Sequence, residues 1–147
     1  SSNSLAPSPP NMVFKTITGV SKRVPKANRY SIKWKDKSRS KMQFGVKQFL
    51  LPYWGNDVVF EEFPVAGTKL TLDFYNANKK IAVEVQGAQH LKYTPHFHGA
   101  SKSTFLGQIR RDNMKQSFCE MNKIVLVEVY PKDVLSEELF KSFGAIL

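Results

Sequence analysis

The sequence contains one cysteine, Cys119, three histidines, and twelve acidic residues against twenty-two lysines and arginines. A lone cysteine excludes an intrachain disulfide and any zinc site built from several thiolates, so Cys119 reads as a small core residue. No stretch approaches the roughly 20 consecutive apolar residues that cross a bilayer, and the first residues lack the basic-then-apolar order of a secretory signal. A soluble, intracellular protein with no membrane association is expected. No internal repeat is present, and 147 residues suffice for one domain with a sizeable core but not for a second catalytic domain. Residues 1–11, rich in Ser and Pro, read as a flexible leader outside the fold.

The shortage of acid is local. Between residues 21 and 41 lie Lys22, Arg23, Lys26, Arg29, Lys33, Lys35, Lys37, Arg39 and Lys41, opposed only by Asp36, a net +8 of the formal +10. An evenly basic surface would serve solubility, whereas one concentrated segment suggests a polyanion as partner. Acidic lipid fits less well, because no amphipathic helix accompanies the cluster. Residues 12–41 are therefore set apart as a basic N-terminal extension that binds nucleic acid, and residues 42–147 as the core.

Within the extension, residues 12–17 read as a short strand and 24–29 as a Pro-broken arm. Tyr30, Ile32 and Trp34 alternate with Ser31 and Lys33, which predicts a strand with one aromatic face. A helix capped from residues 38–40 follows, with Met42, Val46, Phe49, Leu50 and Tyr53 at helical spacing and Pro52 and Gly55 near its end. Residues 58–63 read as a strand, 87–102 as a long loop with His90, His96 and His98, 103–121 as a helix, 124–130 as a buried strand, and 131–143 as a short last helix. This order predicts an α/β fold: a mixed β-sheet flanked by helices.

The chain is organised around residues 70–90. Leu70, Leu72 and Phe74 alternate with Thr71, Asp73 and Tyr75, and Ile81, Val83 and Val85 alternate with Ala82, Glu84 and Gln86. With Asn76-Ala77-Asn78 as a turn, the two strands pair as a hairpin that brings Asp73 near Glu84. Two carboxylates beside a neutral amide suit a hard divalent cation such as Mg²⁺. The bland alternative is a solvated outer face, against which stands the central position of these strands. Glu61 and Glu62 adjoin the hairpin; alternation lets only one face Asp73, and pairing Phe63 with Leu70 favours Glu62. On the following helix Gln108, Arg111, Asp112 and Lys115 form one polar stripe at i, i+3, i+4 and i+7. Apolar residues cover so much of the rest of that helix that the stripe is expected to line the site, with Lys115 or Arg111 supplying positive charge.

Asp73, a ten-residue interval and then Glu84-Val85-Gln86 resemble the core of the PD-(D/E)xK nuclease superfamily, with Gln86 where a lysine usually stands. The run Val83-Glu84-Val85-Gln86-Gly87-Ala88-Gln89-His90, with Gln108 and Arg111-Asp112 on the next helix, is similar to phage homing endonucleases related to very-short-patch repair enzymes, the EDxHD group. Two departures stand out: Leu72 occupies the motif proline, and Gln43 replaces the acidic residue that such enzymes often carry on the first helix. The resemblance implies a restriction-endonuclease-like core and hydrolysis of double-stranded DNA. Asp73 and Glu84 would hold Mg²⁺, with Mn²⁺ as a substitute, and Gln86, His90 and Asp112 would act in catalysis. Gln43, Glu62, Gln108, Arg111 and Lys115 are additional candidates. It also implies a homodimer or higher oligomer, since cutting two strands takes two sites, and the cytoplasm of a bacterial host if the chain is phage-encoded.

The histidines also permit a zinc site, though three His without a clear fourth ligand are common in loops. Two rival functions use the same residues differently. A structure-selective repair or recombination nuclease would share the chemistry but recognise a junction or mismatch. A non-catalytic basic nucleic-acid-binding module would keep the carboxylates for structure alone.

Overall fold

The computed structural model describes residues 12–87 and 102–147, without the side chains of 102–105 and 108. It is an α/β protein. Two short strands, β1 (Val13–Lys15) and β2 (Ser21–Arg23), form an antiparallel hairpin, followed by a 3₁₀ turn (Ala27–Tyr30) and the helix α1 (Lys41–Trp54). Then come β3 (Val59–Pro64), β4 (Thr71–Asn76), β5 (Ile81–Val85), α2 (Lys102–Met121), β6 (Val125–Val129) and the short helix α3 (Glu137–Lys141). The main sheet has the order β3-β4-β5-β6, antiparallel except for the parallel pair β5 and β6. Parallel neighbours need a crossover, which the segment containing α2 provides.

The sheet is covered on both faces, and each cover follows from sequence periodicity. In α1, Ser40 stands at the N-cap in an extended conformation and its Oγ accepts from the backbone N of Gln43. Val46, Leu50 and Trp54, four residues apart, then share one side and pack with Val59, Phe74, Ile81, Val83, Val127 and Phe140 of α3. The opposite face buries Phe60, Phe63, Leu72, Tyr75 and Ala82 under Phe118 and Cys119 of α2 and under Met12, Phe14 and Val24 of the N-terminal hairpin. Each buried phenylalanine stabilises the fold by about 2–3 kcal/mol. Phe14 touches Phe63, Tyr75 and Phe118, so the start of the basic extension is part of the core. Gly67, at φ +84° in the β3–β4 turn, sits so close to the N-terminal hairpin that an added Cβ would lie 2.8 Å from Thr16 Cγ2.

Four expectations are corrected. Tyr30, Ile32 and Trp34 do not form a strand: Ser31 makes one isolated bridge to Phe60 and Ile32 N donates to Val59 O. Tyr30 packs into one core cluster and Ile32 and Trp34 into the other, so the segment wraps around the outer edge of β3 and shields an otherwise open strand edge. Trp54, not Tyr53, is the buried aromatic at the end of α1, with Tyr53 exposed and donating to Glu137. Along β4, Leu72 and Phe74 enter opposite clusters. The cause is a reversal of pleat at β3, where Glu62 has φ +55°, a left-handed value unusual for a non-glycine residue inside a strand. Phe63 also pairs with Leu72 instead of Leu70.

Candidate metal centre and its cationic surround

The candidate site lies at the end of the sheet where β3, β5 and β6 finish and β4 begins. The regular pairing of β4 with β5 runs only through Phe74 and Val83. One step further, side chains take over the ladder: Asp73 N donates to Glu84 Oε2, and Val85 N donates to Asp73 Oδ2, each at 2.7 Å. Each carboxylate thus replaces a backbone carbonyl as acceptor, and the two strands splay without leaving amides unpaired. Asp73 is 2% and Glu84 5% exposed.

This leaves Asp73 Oδ1 and Glu84 Oε1, and each meets a cation. Arg39 Nη2 donates to Asp73 Oδ1 at 2.9 Å, and Lys115 Nζ donates to Glu84 Oε1 at 2.5 Å. Arg39 also reaches Glu62 at 3.4 Å. Beyond it, Gln43 Nε2 donates to both Glu61 Oε2 and Glu62 Oε2, and Thr71 Oγ1 to Glu62 Oε1. Lys47, fully buried, donates to Glu61 Oε1 and to the carbonyl of Asp36, both at 2.9 Å. A continuous polar network therefore runs from α1 across the sheet end to α2. At its far side Gln86 Nε2 donates to Glu128 Oε2 at 3.1 Å.

Burial, and then repulsion from Glu84, push Asp73 from about 3.8 up to about 7, against the opposing pull of the Val85 amide, Arg39 and Lys115. Glu84 is raised as well, mainly by burial, with Lys115 pulling the other way. A carboxyl raised on folding keeps a proton that the unfolded chain has lost, so its contribution to stability is full below pH 3.8 and disappears as pH rises through about 7. In chelator, wild-type stability measured by urea unfolding is expected to fall relative to Asp73→Asn between pH 4 and 7. The slope should be up to about 1.4 kcal/mol per pH unit, the value for one proton. Parallel curves for the two proteins would show that Asp73 ionises normally.

The structure brings together Asp73, Glu84, Gln86, Gln43, Glu62 and Lys115 at this sheet end. Asp112 lies close enough to raise Glu84 further, while Arg111 is exposed on the same helix. His90, His96 and His98 lie outside the described residues, as does the Gln108 side chain. Lys22, Arg23, Lys26, Arg29, Lys33, Lys35, Lys37, Arg39 and Lys41 are all exposed. Alternation at Glu61 and Glu62 fails as a rule, because the left-handed Glu62 lets both carboxylates reach Gln43. Sequence reading missed Lys47, Glu61's partner, and Glu128. A signal for Lys47 was present in its position, one turn after Gln43 and beside Val46 on the buried side of α1. Nothing local marks Glu128.

No family model matches this chain, and no solved structure matches it. It is similar to viral proteins. It is 43% identical over 60 residues to Uncharacterized protein 307L of Invertebrate iridescent virus 6, covering 41% of this chain and 30% of that protein. To Uncharacterized protein 033L of Invertebrate iridescent virus 3 it is 32% identical over 81 residues, covering 55% and 41%. To Uncharacterized protein 094L of Frog virus 3 it is 38% identical over 66 residues, covering 45% and 43%. The chain thus spans less than half the length of each. Those names assign no activity, so the chemistry of the site rests on its own geometry.

Proposed function

We propose that this chain is a Mg²⁺-dependent endonuclease that hydrolyses phosphodiester bonds in double-stranded DNA. Its core would be of the PD-(D/E)xK type, similar to phage homing enzymes related to very-short-patch repair endonucleases. The observation that carries the reading is the pair Asp73 and Glu84: buried, raised by burial, and each with one oxygen fixed by a backbone amide and the other turned to a cation. The mixed sheet with helices on both faces supports it.

The donor set fits a hard cation that keeps most of its water. Two carboxylate oxygens, Asp73 Oδ1 and Glu84 Oε1, stand where positive charge is already held by Arg39 and Lys115. Among the described residues no group of three or more His, Cys, Asp or Glu converges. Oxygen donors of this kind suit Mg²⁺, which commonly binds through one or two carboxylates with waters and substrate phosphate. When bound, Mg²⁺ would supply Lewis acidity toward water and phosphate oxygen.

The chain's own residues supply the rest. Lys115, bonded to Glu84 Oε1 beside the neutral Gln86, would offset charge developing on the phosphate. Gln86, its amide oriented by Glu128, would position water or a phosphate oxygen. The exposed cations of residues 22–41 would track the duplex backbone. Two-strand cleavage would take two copies of the chain, hence a homodimer.

A second reading, a non-catalytic nucleic-acid-binding module, is favoured by the same ion pairs, since Arg39 and Lys115 satisfy both carboxylates without metal. A supercoiled-plasmid assay separates the two. With Mg²⁺ the protein should nick or linearise DNA, excess chelator should abolish this, and Lys115→Ala should lower the rate more than the DNA affinity. Tight binding without any metal-dependent cleavage would establish the module.

A further inference from the structure

We propose that Arg39 is a positioning residue that couples duplex binding to cation binding: in the free protein it neutralises Asp73, and in the complex its guanidinium moves to a backbone phosphate. This rests on the metal-dependent nuclease reading above. The side chain of Arg39 is 64% exposed while that of Asp73 is 3% exposed, so the charge reaches the buried carboxylate from the surface. The backbone carrying Arg39 is fastened on three sides. Lys47 holds the carbonyl of Asp36, Ser38 Oγ donates to Glu61 at 2.7 Å, and Ser40 caps α1. The base is held and the long side chain is the part that can exchange partners.

Two surface grooves meet at this residue. One, of about 530 Å³, is lined by Arg29, Lys33, Lys37 and Arg39 together with Asp36, Glu61 and Glu62. The other, of about 440 Å³, is lined by Lys35, Lys37, Arg39 and Lys41. Lys37 and Arg39 border both grooves, and Arg39 is the one bonded to Asp73. A phosphodiester chain drawn along these cations arrives at a planar fork that grips phosphate in two-point fashion as readily as carboxylate. An ion pair with one partner this exposed is weakly held and exchanges easily.

Once Arg39 leaves, Asp73 Oδ1 is a buried anion without its main counter-charge, and a divalent cation restores the balance. Duplex and cation should therefore bind with positive coupling, which must be reciprocal.

The test is calorimetric titration of Ca²⁺ at pH 8, with and without a short duplex shown to remain intact, into wild type, Arg39→Ala, Arg39→Lys and Asp73→Asn. Arg39→Ala without DNA should bind Ca²⁺ about two- to fivefold more tightly than wild type, as expected for removing one partly exposed competing ion pair. Duplex should tighten Ca²⁺ binding to wild type but not to Arg39→Ala, with Arg39→Lys in between. Equal Ca²⁺ affinity and equal duplex effect in wild type and Arg39→Ala, with Asp73→Asn abolishing binding, would overturn the role of Arg39 and leave the metal site standing. Ca²⁺ binding untouched by Asp73→Asn, or absent with and without duplex, would overturn the metal site and this coupling together.

Discussion

Asp73→Asn and Glu84→Gln are each expected to lower Mg²⁺-dependent cleavage by about 10²–10⁴-fold, the range for removing a group that acts on the transition state. Both variants should fold and bind DNA. The reason is the division of labour between the two oxygens of each carboxylate. An asparagine oxygen can still accept from Val85 N, and a glutamine oxygen from Asp73 N, so the side-chain ladder that joins β4 to β5 survives. What is lost is the negative oxygen facing Arg39 or Lys115. Asp73→Ala has no such substitute and leaves the half-buried Val85 amide without its acceptor, at a cost of about 1 kcal/mol. Cleavage at the wild-type rate by either isosteric variant in single-turnover measurements would remove the sheet end from the mechanism. The contrast between Asp73→Asn and Asp73→Ala in thermal unfolding separates the catalytic loss from the structural one.

The second large effect concerns the cationic segment. Replacing Lys33, Lys35 and Lys37 together with glutamine should weaken DNA binding and reduce the slope of log affinity against log salt by about 0.9 per lost phosphate contact, about 2.7 for all three. All three lysines are exposed and line the two grooves that meet at Arg39. Their removal should leave stability within about 0.5 kcal/mol of wild type. An unchanged slope in fluorescence anisotropy titrations from low to moderate salt would assign the cluster to solubility.

Which parts of this were legible in the sequence follows from the range over which each interaction acts. α1, α2 and the strands from Val59 onward were legible because their apolar spacing and caps are local. The juxtaposition of Asp73 with Glu84 was legible too, since a short turn fixes which residues of a hairpin face each other. The strand predicted at Tyr30, Ile32 and Trp34 failed because alternation alone cannot say that every second residue will serve opposite faces of a sheet. The pleat reversal at Glu62 was invisible for a related reason: nothing in Phe60-Glu61-Glu62-Phe63 requires a left-handed residue, and Gln43 and Thr71, which bond its carboxylate there, come from elsewhere in the chain. Arg39 was counted among the DNA-facing cations, and its bond to Asp73 spans 34 residues. The same holds for Lys47, whose burial makes sense only with Glu61 and the Asp36 carbonyl in place.

The N-terminal hairpin changes what kind of reagent the basic segment is. Val24 is in the core, Ile32 is bonded to Val59, Asp36 is held by Lys47, and Ser40 begins α1. A cationic stretch anchored at this many points is a preformed strap. A disordered basic tail that folds on its target loses conformational freedom at that moment, at a cost of about 2–5 kcal/mol of the gross interaction energy. Here that entropy is lost when the protein folds, so encounter with a polyanion resembles docking between two rigid bodies. Its heat-capacity change should be small, and its rate should follow ionic strength more than temperature.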